Sequence, residues 1–136
     1  MNKDKPQALL EITQAVMNVL DTWELNAQEI QGVLCLPDTI KARALPKFRS
    51  GEASLPNEAS TLQRAHYLLR IADALRTSYP RNPKMSARWI KQMHRRFGQR
   101  TPLSMMLESG EGGLITVLAE LDCTFSWDLT GSKRHG

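Results

Sequence analysis

The residues with reactive side chains are few and scattered. His66, His94 and His135 have no carboxylate or cysteine at a catalytic or metal-ligand spacing. His66 and His94 therefore read as ordinary helix-surface or boundary residues. Cys35 and Cys123 make neither a disulfide framework nor a metal spacing, so both are expected to be buried free thiols in a reducing cytoplasm. The stretch Ser109-Gly-Glu-Gly-Gly113 has the glycines of a phosphate loop. It lacks the Gly-Lys-Ser/Thr ending and a preceding strand, so it reads as a helix break. No two carboxylates stand in a general acid–base arrangement. Nothing supports a catalytic residue, a metal or a cofactor.

Charge is the stronger signal. The net charge of +4 conceals an asymmetry. Residues 1–38 carry six acids against two lysines, residues 39–100 carry fourteen Lys or Arg against three acids, and residues 101–136 carry five acids against two bases. A basic middle between acidic ends suits a polyanion or an acidic protein partner, or stays a solvated face.

Two basic constellations stand out. The first follows a helix–turn–helix spacing over residues 27–49, in which a second helix could enter a DNA major groove. That second helix would present Thr39, Lys41, Arg43, Lys47 and Arg49 to phosphates and bases. Gln31 stands where such a motif usually has a small residue, and Cys35 where it has a turn glycine. Asp38 puts a negative charge at the helix start, and Pro46 shortens the reading helix. A helix pair that merely packs is the other reading. The second constellation runs Arg76, Arg81, Lys84, Arg88, Lys91, Arg95, Arg96, Arg100, with Trp89 and Phe97 interleaved. Nucleic acid is one partner it could take. On a helix, Trp89, Met93 and Phe97 would share an inward side and the arginines an outer arc.

The elements that must position these residues are helical. Leu9, Ile12, Val16, Val19, Leu20 and Trp23 share one face of a helix over about residues 7–23. Asn26 and Glu29 predict a capping box for a short helix to about Leu34. A third helix is expected over Asp38–Phe48, stopped by Gly51. A long helix follows, with Leu62, Leu69, Ala72, Leu75 and Tyr79 on one stripe, broken by Pro80-Arg-Asn-Pro83. Ser86 is expected to cap a helix through Phe97, ended by Gly98. Thr101 caps and Pro102 opens a short helix ending at Gly110. A last helix holds Leu114, Val117, Leu118 and Leu121, and the tail from Cys123 shows no helical period. No strand pattern or repeat is present, and no apolar run nears the roughly 18–20 residues of a membrane span. The N-terminus lacks a signal-peptide apolar region.

The C-terminal half resembles the toxin-binding domain of the Xre/MbcA/ParS antitoxin family. The resemblance rests on Arg88-Trp89-Ile90, Phe97-Gly98, Arg100-Thr101-Pro102-Leu103 and Met105-Met106-Leu107. It continues through Ser109-Gly110, Gly113, Val117 and Leu121. Leu62-Gln63-Arg64 and Leu68-Leu69-Arg70-Ile71-Ala72 resemble the family's preceding long helix. Phe48-Arg49-Ser50-Gly51 and Ser54-Leu55-Pro56 more loosely resemble the end of its Xre-like helix-turn-helix.

The resemblance implies an all-α fold, with an Xre-like helix-turn-helix region at residues 1–56, a toxin-binding domain at 57–122 and a tail at 123–136. It implies a cytoplasmic, non-enzymatic homodimer, with no cofactor and no membrane partner. Its function would be to cover the active site of a RES/ParT-like, NAD-using toxin of ADP-ribosyltransferase fold. The complex would also repress its own promoter through operator DNA. Arg88, Trp89, Arg95, Arg96 and Arg100, with Trp127, Lys133 and Arg134 of the tail, are the expected toxin contacts. The alternative is a stand-alone helix-turn-helix repressor.

Overall fold

The computed structural model describes the backbone of residues 4–130 and the side chains of residues 7–122. Among them are seven α-helices and no strand, as the all-α expectation requires. The helices are α1 (Asp4–Thr22), α2 (Ala27–Leu34), α3 (Leu45–Ser50), α4 (Ala59–Ser78), α5 (Pro83–Lys91), α6 (Pro102–Glu108) and α7 (Gly110–Thr130). The chain forms two compact units, residues 1–69 and 70–136. None of the described helices is long and apolar enough to cross a membrane.

In the first unit α1 buries Thr13, Val16, Met17 and Leu20, and Trp23 just past its end is buried too, whereas Leu9, Ile12 and Val19 of the expected face are only half-buried. Its end is closed by bonds from the Leu25 N–H to Leu20 and the Glu24 N–H to Asp21, with Glu24 in the left-handed region at φ 60°. The capping box forms as predicted: the Glu29 N–H donates to the Asn26 side chain at 2.8 Å, and the Asn26 N–H to Glu29 Oε1 at 2.9 Å.

Thr13 ties α1 to the connector before α4. Its hydroxyl donates to the Leu9 carbonyl at 2.7 Å and accepts from the Leu55 N–H at 2.9 Å. Thr13 is fully buried. Thr13→Val keeps the shape but orphans that N–H, so urea unfolding should show a loss of about 1–3 kcal/mol.

The third helix differs from expectation. Instead of a helix over Asp38–Phe48, the chain makes a turn at Pro37–Ile40, a 3-10 turn at Ala42–Ala44, and then α3. Pro46 is the physical reason. It has no N–H for the Ala42 carbonyl, and its ring would clash there in a continuous helix. It sits instead in the first turn of α3, where no donor is needed.

Cys35 is also a correction, being exposed rather than buried. It ends α2 in the left-handed region at φ 55°, with the Cys35 N–H bonded to Gly32 and the Leu36 N–H to Gln31. It thus takes the conformation that a turn glycine would supply. A side chain there costs roughly 1–2 kcal/mol, so Cys35→Gly should stabilise the chain by about 1 kcal/mol, read as a shift of the urea midpoint. The native thiol should also react with a maleimide without denaturant.

The buried stripe of α4 is rotated by one position from the expected one. Thr61, Ala65, Leu68, Ile71 and Leu75 are buried, whereas Leu62, Leu69 and Tyr79 are half-exposed.

The second unit departs from expectation at both ends. The helix expected from Ser86 to Phe97 starts at Pro83 and ends at Lys91. Gln92 and His94 are extended, and a 3-10 turn spans Arg95–Phe97. Met93 is consequently 63% exposed, not inward-facing. Gly98 and Gln99, both at φ 65°, then reverse the chain and bring His94 alongside Arg100.

Thr101 caps α6 as predicted, accepting from the Ser104 N–H at 2.9 Å. The glycine stretch is not a long break. Ser109 alone separates α6 from α7, which continues through Thr130 and so makes residues 123–130 helical against expectation. At Gly113 the two helices approach so closely that a Cβ would lie 2.0 Å from the Met105 carbonyl oxygen.

Candidate functional site

Of the five residues expected on one DNA-reading helix, the structure keeps only Lys47 and Arg49 on α3. Thr39 lies in the turn after α2, Lys41 just before the 3-10 turn, and Arg43 within it. All five are exposed. The connector is held by Gln31, whose side-chain amide donates to the Ile40 carbonyl at 2.8 Å. A small residue at that position could not make this bond. Arg49 is engaged within the protein: its guanidinium makes a two-pronged pair with Asp21 at 2.9 and 3.0 Å.

In the second unit a cleft of about 350 Å³ opens beside Trp89. It is walled by Tyr79, Trp89, His94, Phe97 and Leu121 and edged by Ser78, Arg95, Arg96 and Glu120. Three of its rings form one cluster. His94 lies 4.8 Å from Trp89 between ring centres, and Phe97 meets Trp89 edge-on at 6.2 Å and His94 edge-on at 6.0 Å. Such edge-on contacts suit the ring quadrupoles.

His94 Nε2 stands 3.0 Å from the Trp89 carbonyl. A carbonyl only accepts, so Nε2 carries the proton. The Trp89 carbonyl near the end of α5 thus accepts both the imidazole N–H and, at 3.4 Å, the Gln92 N–H. The imidazole bond explains how the chain leaves the helix yet returns Phe97 to Trp89.

The rim is basic. Arg95 and Arg96 are exposed, and Arg96 pairs with Glu120 of α7. Arg100 pairs with Glu108 at 2.7 Å. Arg88 is exposed on α5, one position before Trp89. The structure thus brings Trp89, Arg95 and Arg96 of the expected contacts to one cleft. Trp127, as a side chain, and Lys133 and Arg134 lie outside the described residues, as do His135 and the Cys123 side chain.

Sequence reasoning missed Tyr79, His94 and Glu120. Tyr79, just past the end of α4, and Glu120 of α7 are far apart in sequence, and the bond of His94 to Trp89 depends on the α5 break, which helical spacing does not predict. His66 is exposed on α4, as expected. Among the described residues no cluster of His, Cys, Asp or Glu could hold a metal. The cleft offers apolar walls and charged rims, which suit recognition of another molecule.

Residues 74–124 match a family described as the antitoxin Xre/MbcA/ParS C-terminal toxin-binding domain. The match covers Trp89, the Thr101-Pro102 cap, Gly113 and every residue lining the cleft. No curated protein matches the chain significantly.

Proposed function

We propose that this protein, whose residues 74–124 match the Xre/MbcA/ParS C-terminal toxin-binding domain, is the antitoxin of a toxin–antitoxin pair and neutralises its toxin by covering the toxin's active site. The family match over residues 74–124 carries this reading. Supporting it, residues 81–100 hold seven Lys or Arg and no acid, a surface suited to an acidic partner. The toxin we assign is RES/ParT-like, with an ADP-ribosyltransferase fold that uses NAD. Arg88, Trp89, Arg95, Arg96 and Arg100 form the contact surface, and Trp127, Lys133 and Arg134 extend it from the tail. Residues 57–122 do the binding, residues 123–136 reach toward the toxin's nucleotide pocket, and the antitoxin acts as a homodimer without catalysis.

Residues 1–56 serve autorepression, with Thr39, Lys41, Arg43 and Lys47 meeting operator phosphates. Arg49 joins them only by leaving Asp21. Each of Lys41, Arg43 and Lys47 replaced by alanine should flatten the salt dependence of operator binding by about one counterion.

The direct test is co-expression with the protein of the neighbouring reading frame. Growth rescue and co-purification are expected, and deletion of residues 124–136 should weaken rescue. No complex and no rescue would overturn the proposal.

A further inference from the structure

We infer that the cleft beside Trp89 is the receptor for one aromatic side chain presented by an acidic segment of the toxin. The inference rests on the toxin-binding reading and names what that surface grips. The cleft volume of about 350 Å³ is at the small end of ligand pockets. It has room for one large side chain and the backbone that bears it. Its walls are aromatic and aliphatic, which favours an apolar anchor.

One observation disfavours a nucleotide base. His94 packs against the Trp89 ring at a tilt of 36° and Phe97 meets it edge-on, so part of the ring surface is already taken. At the rim Glu120 is paired with Arg96, which offsets its charge toward an approaching acid. Arg95 has no carboxylate partner among the described residues and stands ready for one beside the anchor. The seven Lys and Arg of residues 81–100, a stretch with no acid of its own, attract the flanking acids.

The test uses the full chain, ¹⁵N-labelled, with three blocked peptides: Asp-Glu-Trp-Glu-Asp, the same with alanine for tryptophan, and Lys-Arg-Trp-Arg-Lys. The first should shift the amides of His94, Phe97, Gly98 and Glu120 together, with Kd on the order of 1 mM. The other two should not. Arg95→Glu should weaken the first peptide about tenfold or more, and Glu120→Gln, by removing the carboxylate and releasing Arg96, should tighten it. Equal shifts from the alanine peptide, or shifts confined to other residues, would overturn the inference. Toxin capture that persists without cleft shifts sinks this inference alone. Cleft shifts in a chain that captures no toxin sink the toxin reading, not the cleft's preference.

Discussion

Gly113→Ala should unfold or loosen the second unit, and Gly112→Ala should not. The new methyl at 113 would fall 2.0 Å from the Met105 carbonyl oxygen. Both groups belong to backbone, so no side chain can swing aside; α6 and α7 must part by more than an ångström. Overpacking of this kind costs roughly 1–3 kcal/mol and sometimes more. The helix preference of alanine over glycine returns only about 1 kcal/mol. Leu103, Met106, Leu114 and Val117 are all buried on these two helices, so the parting spreads to the core. We expect a net loss of about 2 kcal/mol or more in urea unfolding, with a matching fall in toxin capture. Gly112, which has nothing within 4 Å of the same methyl, should gain about 1 kcal/mol as alanine. Equal stability of the two variants would refute this account of the α6–α7 contact.

The double charge reversal Arg88→Glu/Arg95→Glu should lower toxin affinity about 100-fold while leaving the fold intact. Both side chains are exposed, and neither has a carboxylate partner among the described residues. Unfolding should therefore move by no more than about 0.5 kcal/mol. The reversal replaces two attractive charges by two repulsive ones in a stretch with no acids of its own. Much of the effect should appear in the association rate and fade with added salt, because exposed charges steer encounter and are screened. Wild-type association should itself slow as salt rises. Unchanged affinity in the double variant would show that the toxin sits elsewhere.

What could be read from the sequence was mostly local. The Asn26–Glu29 capping box and the Thr101-Pro102 helix start need only residues three apart, and both form as expected. The apolar face of α1 follows from its period in part: Val16, Leu20 and Trp23 are buried, but so are Thr13 and Met17, while Ile12 and Val19 are half-buried. The breaks were harder, because they depend on groups that meet only after folding. Trp89, Met93 and Phe97 have helical spacing, yet α5 stops at Lys91. The stop is secured by His94 bonding the Trp89 carbonyl and by a chain reversal at Gly98-Gln99. Phe97 is buried as expected, but by another route. In the first unit the sequence places Pro46 late in a longer helix, whereas it opens a shorter one. The basic residues of the cleft rim were legible as a charge run. Glu120 and Tyr79 were not, since tertiary packing brings them to Trp89.

The single residue between α6 and α7 also constrains how this segment can evolve. Each residue inserted or deleted there would turn α7 by about 100° about its axis. Glu120 and Leu121 would then swing away from Trp89, and Gly113 away from Met105. Apart from tight positions such as Gly113, substitutions between Thr101 and Leu121 are therefore cheaper than changes of length. Related chains should differ there in residue identity while keeping the same count, with gaps gathered outside it.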